Sequence, residues 1–103
     1  MKIAITGSCG LLGAHLAAAF CRQGDVCGID RNVWWGDWPL RIVKGDLQGA
    51  TFPGEAVRSI QPDLLIHCAG TVNVDVAEKD PVQAAEENLG ITRHLLESVS
   101  PAC

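Results

Sequence analysis

Residues 3–13 read Ile-Ala-Ile-Thr-Gly-Ser-Cys-Gly-Leu-Leu-Gly, and this stretch constrains the chain more than any other. Ile3 to Ile5 is a short apolar run that leads straight into Gly7, Gly10 and Gly13, spaced three apart. Behind the glycines, Leu12, Leu16, Ala19 and Phe20 fall on one helical face, and Gly24 supplies a stop. The pattern predicts a strand, a tight turn and a helix. Amides at the start of a helix lack intrahelical partners and carry partial positive charge, so those of Leu11, Leu12 and Gly13 suit an anion such as a pyrophosphate. Glycine serves such a turn in three ways: it takes backbone angles that side chains disfavour, lets phosphate approach, and lets the helix pack closely on the strand.

The rest of the composition narrows the class. At 103 residues the chain is one small domain or a piece of a larger one, and its 48% hydrophobic content suffices for one core. A formal charge of −4 with no basic run gives no electrostatic footprint for nucleic acid. No apolar stretch approaches the roughly 18 to 20 residues that cross a bilayer. After Met1-Lys2 the chain enters strand pattern directly, without the features of a secretory signal, so a cytoplasmic location is expected. Cys9, Cys21, Cys27, Cys68 and Cys103 form no C-x-x-C pair and are odd in number, which suits free thiols in a reducing compartment better than disulfides or a metal site. Cys9 lies in the turn, where a helix N-terminus lowers a thiol's pKa, but position alone does not make it catalytic.

Val26 to Asp30 is a second strand ending in an acid. Asp30 stands 17 residues past Gly13 and 23 past Gly7. That brackets the roughly 20-residue spacing at which a dinucleotide-binding unit sets a carboxylate on the adenosine ribose. A carboxylate there accepts bonds from both ribose hydroxyls and repels a 2′-phosphate, so NAD is expected. Arg31, whose guanidinium could hold the extra phosphate, leaves NADP as the alternative. The loop from Asn32 to Pro39 carries Trp34, Trp35 and Trp38, three of only five aromatic residues in the chain. It reads equally as a fold over a core edge, a lid on adenine, or an anchor for a partner surface.

Leu40 to Lys44 alternates as a third strand and is closed by Gly45-Asp46-Leu47. Pro53, Ala56, Val57 and Ile60 predict a short helix that stops before Pro62. Asp63 to Gly70 is a fourth strand, a continuous apolar run of the kind buried on both faces. Val72 to Val76 reads as an irregular connection. Asp80-Pro81 then opens a long helix, with Leu89, Thr92, Leu96 and Val99, joined by Leu95, as its packing stripe and Pro101 as its end. Alternating strands and helices imply an α/β fold: a Rossmann-like parallel sheet in the order 3-2-1-4 with helices on both faces. A cofactor would lie across the carboxyl ends of the strands, where Gly13, Asp30, Asp46 and Gly70 fall.

These residues resemble the N-terminal part of an extended short-chain dehydrogenase/reductase, the group of sugar-nucleotide epimerases, dehydratases and reductases, over essentially the whole chain. Thr6-Gly7-Ser8-Cys9-Gly10-Leu11-Leu12-Gly13 is similar to that group's T-G-x-x-G-x-x-G turn. Gly45-Asp46-Leu47 resembles its G-D-[LIV], whose acid contacts the adenine ring. His67-Cys68-Ala69-Gly70 resembles its H-x-A-[AG], where backbone borders the cofactor. The run from Asn88 to Glu97 is similar to its N-x-x-G-T-x-N-L-L-E, with His94 where an asparagine stands in the pattern. Val74-Asp75-Val76-Ala77-Glu78 is similar to the V-D-x-A-E of the dTDP-4-dehydrorhamnose reductase branch, with Thr71-Val72 in place of the Tyr-Thr that precedes it there.

The resemblance implies an NAD(P)-binding domain over residues 1–103, with cofactor contacts from Gly7, Gly10, Leu11, Leu12, Gly13, Asp30, Arg31, Asp46, Leu47, Ala69, Gly70 and Asn88. It also implies chemistry by a Y-x-x-x-K pair, in which the tyrosine is the general acid/base. The chain contains no tyrosine. It also stops short of the fifth strand, so the domain is expected to be truncated and incomplete, without catalytic residues or the sugar-nucleotide pocket. Two functions are therefore expected: the cofactor-binding part of such an enzyme, inactive alone, or a non-catalytic NAD(P)-binding regulatory or scaffolding module. Exposed apolar surface is expected to call for a missing C-terminal portion or self-association. Other chemistry is not signalled. His15, His67 and His94 lack metal-ligand spacing, Asp75, Glu78 and Asp80 read as a solvated approach to a helix, and no Gly-Lys-Ser/Thr follows the turn.

Overall fold

The computed structural model describes residues 1–70 and 74–103. Its elements in chain order are β1 (Lys2–Thr6), α1 (Leu11–Phe20), β2 (Asp25–Asp30), β3 (Arg41–Lys44), α2 (Phe52–Ile60), β4 (Leu64–His67), α3 (Val74–Lys79) and α4 (Pro81–Ser98). The strands form one parallel sheet in the order β3-β2-β1-β4. Alternation along β1 decides what lies on each face. Ala4 turns to one side, joining Cys27, Ile29 and the buried residues of α2 and α4. Ile3 and Ile5 turn to the other, meeting Ala17 of α1 with Leu16 and Phe20 beside it. Helices therefore cover both faces. Ile3, Ile5 and Ile29 are at most 1% exposed, and such side chains contribute about 1.5–3 kcal/mol each on burial.

α2 follows its sequence pattern, with Pro53, Ala56, Val57 and Ile60 all buried. α4 opens as expected, the Asp80 carboxylate accepting a hydrogen bond from the Gln83 amide at 3.0 Å.

Several expectations need correction. On α1 the buried face is Gly13, Ala14 and Ala17, whereas Leu12 is exposed, as is Ala19. The helix is apolar almost all round, so periodicity does not set its phase; the need for close approach to the sheet does, and that selects the smallest side chains. On α4 the buried residues are Ala84, Ile91 and Leu95, and Leu89 and Leu96 face outward at 64% and 70% exposure. Of the expected stripe, Leu95 is buried and Val99 packs against the core, whereas Leu89, Thr92 and Leu96 face outward. β4 is only half-buried along most of its length because it forms the sheet edge, with β1 as its partner. The connection expected at Val72 to Val76 is also revised: α3 begins at Val74, with Asp75 in its first turn and Lys79 in its last, as the helix dipole favours. Residues 72 and 73 of that stretch lie outside the described residues.

Candidate functional site

The glycine turn joins β1 to α1, and each glycine answers a different local demand. Gly7 has φ +68°, and a Cβ there would lie 2.8 Å from the Ala69 nitrogen. It sits where both a left-handed backbone and close passage of the β4 end are required. A Cβ on Gly13 would come within 2.1 Å of the Gly7 carbonyl oxygen, so its absence lets α1 rest on the turn. Gly10 is exposed, and a Cβ there would make one tight contact, with the Gly7 carbonyl oxygen at 3.3 Å. As the N-cap of α1, Gly10 supplies no capping side chain, and no acid stands in the first turn. The amides of the first turn are thus left to water or to a ligand.

In front of this turn lies a groove of about 820 Å³, within the size range of small-molecule and cofactor sites. Gly7, Gly10, Leu11, Leu12 and Gly13 form one wall, and Asp30 and Arg31 stand at the end of β2. Asp46 and Leu47 come from the segment after β3, and Ala69 and Gly70 from the segment after β4. Asn88 does not line it. It stands behind Gly70, its side-chain oxygen 3.0 Å from where a Gly70 Cβ would be. Sequence reasoning missed Cys9, Asn32, Gln48, Glu87 and Ile91 as lining residues. Gln48 and Glu87 each adjoin a motif residue, and their side chains meet at 3.4 Å, linking the loop after β3 to α4. Gly28 was also missed. A Cβ there would strike the buried Ser8 side chain at 2.2 Å, and a glycine inside a strand pattern is the signal for such close approach.

Asp30 is nearly buried, and each carboxylate oxygen already accepts one backbone bond: Oδ2 from the Cys9 amide at 2.9 Å, Oδ1 from the Asn32 amide at 2.8 Å. A carboxylate offers about four lone-pair sites, so each oxygen retains capacity for a further donor. The same carboxylate bears on Cys9. Burial pushes the Cys9 thiol up and the charge of Asp30 adds to it, the reverse of what a helix N-terminus alone would do. The thiol is held in the form that is a poor nucleophile.

At the β4 side a single hydroxyl organises the wall. Thr6 is fully buried, and its Oγ1 accepts from the amides of Cys68 at 3.0 Å and Ala69 at 3.1 Å. It also meets His67 Nδ1 at 2.6 Å. A hydroxyl has two lone pairs and one hydrogen. With both lone pairs engaged, Thr6 donates to Nδ1, and His67 is the neutral tautomer protonated on Nε2. Burial holds the imidazole below the usual histidine pKa, in the same direction. His67 is thus an acceptor that supports the strand end.

The tryptophan loop covers a core edge. Trp38 packs on the cluster of Ile3, Ile5 and Ala17, and Trp34 stacks on Trp35 at 5.2 Å and meets Trp38 edge-on at 5.1 Å. None of the three lines the groove, so the adenine-lid alternative has no support in the geometry. Among the described residues no group of three or more His, Cys, Asp or Glu side chains is placed to hold a metal ion, and no helix is long and apolar enough to cross a membrane.

Known proteins share this fold. The model of the NAD dependent epimerase/dehydratase family matches residues 3–102. CDP-paratose 2-epimerase of Salmonella typhi is 32% identical over 96% of this chain and 32% of its own length. UDP-glucose 4-epimerase of Thermus thermophilus, solved in complex with NAD, superposes with a TM-score of 0.81 at 27% identity, covering 95% of this chain and 33% of that one. The enzyme WbmH of Bordetella bronchiseptica, solved with NAD+, gives a TM-score of 0.72 at 26% identity, over 94% and 34% of the two chains. The chain therefore spans about a third of the length of these relatives. With the family model covering nearly every residue, and the relatives sharing its Rossmann-like sheet, the chain belongs to the NAD dependent epimerase/dehydratase family.

Proposed function

We propose that this chain is the NAD-binding part of a nucleotide-sugar epimerase, dehydratase or reductase, incomplete as a domain and inactive alone. The observation that carries this is the convergence of an uncapped helix start, a partly satisfied carboxylate and two close-approaching strand ends on one groove. In this reading the amides of Leu11, Leu12 and Gly13 bind the pyrophosphate, and Gly10 lets it approach. Asp30 accepts the adenosine ribose hydroxyls, and its charge favours NAD; Arg31 at the rim is the residue through which NADP would be tolerated. Asp46 and Leu47 border adenine, Ala69 and Gly70 present backbone to the other half of the dinucleotide, and Asn88 supports Gly70 from behind. The geometry fits the group: Gly10, at the uncapped start of α1, and Gly70 both line the groove and are exposed.

Bound NAD would supply reversible hydride exchange. The chain's own residues bind and orient it. With no tyrosine in the sequence, the proton transfer that the family's Y-x-x-x-K pair performs has to come from outside this chain. Val82, Leu89 and Leu96, exposed at 66%, 64% and 70% and spaced seven apart on α4, support a covering surface from further chain or a second copy. Five free cysteines support a reducing, cytoplasmic setting. The alternative of a non-catalytic NAD(P)-binding module rests on that missing tyrosine.

Thermal unfolding with NAD tests the reading. At a hundredfold excess over Kd, binding adds about 2.7 kcal/mol and raises Tm by roughly 10 °C or more in a domain of this size. Gly10→Glu, at an exposed position with ordinary backbone angles, should keep the fold and lose the rise because its carboxylate meets the pyrophosphate. No rise with NAD or NADP in the unaltered chain would refute the proposal.

A further inference from the structure

Trp35 stands apart from the other two tryptophans of its loop. It is 65% exposed and does not line the groove, yet its indole Nε1–H donates to the Cys9 carbonyl oxygen at 2.7 Å. That carbonyl belongs to the peptide joining Cys9 to Gly10, immediately before α1. The other side of the same peptide, the Gly10 amide, donates to the Gly7 oxygen at 3.0 Å. One residue earlier, the Cys9 amide is bound to Asp30 at 2.9 Å, and the Cys9 thiol points to the Asn32 carbonyl at 3.6 Å. The middle of the turn is thus held from outside by the last residue of β2 and the segment that follows it.

Within that segment the load passes to the core. Trp35 stacks on Trp34, the Trp34 indole N–H donates to the Trp38 carbonyl at 2.6 Å, and Trp38 is packed against Ile3, Ile5 and Ala17. A peptide preceding glycine reorients at little steric cost. Where the next three amides are to meet an anion, such reorientation disperses the donors, and fixing it before binding removes an ordering cost from the binding step.

We propose that Trp35 is a positioning residue for the phosphate-binding turn, its indole N–H fixing the Cys9–Gly10 peptide so that the amides of Leu11, Leu12 and Gly13 are set before the ligand arrives. This rests on the reading of the groove as a dinucleotide site. It assigns the tryptophan loop a function in binding although no tryptophan touches the groove.

The test uses the full chain, Trp35→Phe, and the chain carrying 3-benzothienylalanine at position 35, which keeps the bicyclic ring and replaces N–H with sulfur. Calorimetric titration with NAD is paired with hydrogen exchange of the Cys9 and Gly10 amides in the absence of ligand. The expected result is about fivefold weaker NAD binding in both variants, the size of one net hydrogen bond. Faster exchange at both amides should accompany it, with a fall in Tm no larger than the roughly 4–8 °C of one net hydrogen bond. A benzothienylalanine protein that matches the unaltered chain in affinity and exchange overturns the proposal, since ring packing would then suffice. A large fall in Tm in both variants also overturns it, because Trp35 would be a folding residue. If the unaltered chain binds no NAD, the dinucleotide reading fails by itself. Exchange then decides the positioning claim: retained protection in the variants refutes it, and lost protection upholds the tether.

Discussion

The two sides of the groove are built differently. On the β1–β2 side the turn itself is tied to other groups of this chain: Cys9 to Asp30 and Trp35, Gly10 to Gly7, and Gly7 to Ile29 and the end of β4, while the first turn of α1 has no capping side chain. The β4–α4 side is built on a sheet edge. Thr6 and His67 secure the strand end, but β4 is a half-buried edge and α4 turns Val82, Leu89 and Leu96 outward. The first side is tied down by its own contacts, and the second leaves apolar side chains exposed. On the proposed reading, the first side holds the adenosine and pyrophosphate half of a dinucleotide and the second faces the other half.

The contrast predicts an ordered set of effects. The largest belongs to Gly13→Val on the closed side. Its Cβ would lie 2.1 Å from a backbone oxygen that no rotamer change can move. The cost should be about 3 kcal/mol or more, a large part of the roughly 5–15 kcal/mol that holds a small domain together. Loss of the cooperative melt is the expected result, and a Tm near that of the unaltered chain would show that the turn is looser than described. Within α4 the two faces should separate next. Leu95→Ala, at a fully buried position, should cost about 2–5 kcal/mol, whereas Leu89→Lys should stay within about 0.5 kcal/mol in the monomer. Sedimentation sharpens this: if Leu89→Lys changes the oligomeric state, the outward face is an interface between copies, and an unchanged state shows that this face does not pair copies.

The smallest effect concerns His67. Its pKa is lowered by burial in the folded chain, so on acidification the unfolded chain takes up a proton first. Stability is therefore fully present above the ordinary histidine pKa and declines as pH falls from there to the depressed folded value. Protonation at Nδ1 would also force Thr6 to stop donating and release one of the two amides it accepts. His67→Asn should flatten the Tm profile over that window, and an unchanged slope would mean that another group titrates there.

Much of this was legible in the sequence because it is set locally. Gly7, Gly13 and Asp30 lie where spacing put them, since a turn with a left-handed residue and a helix start admits few alternatives. The strand order followed from the alternation of strands with helices and the right-handed crossovers it implies. Helix phase did not. α1 and α4 carry apolar residues on more than one side, and which side is buried depends on what lies opposite, information that no window on the helix contains. The Trp35 tether was hidden for a related reason: it spans 26 residues and is made by a side chain that composition marks only as unusual.

The central claim is that residues 7–13 form a working anion cradle in this chain, and amide shifts in a uniformly 15N-labelled sample titrated with NAD test it most directly. The account predicts saturable shifts concentrated at Gly10 to Gly13, Asp30 and Gly70, with the α2 helix and the outer face of α4 unmoved. No shifts at millimolar NAD, or shifts confined to α2 and α4, would contradict it.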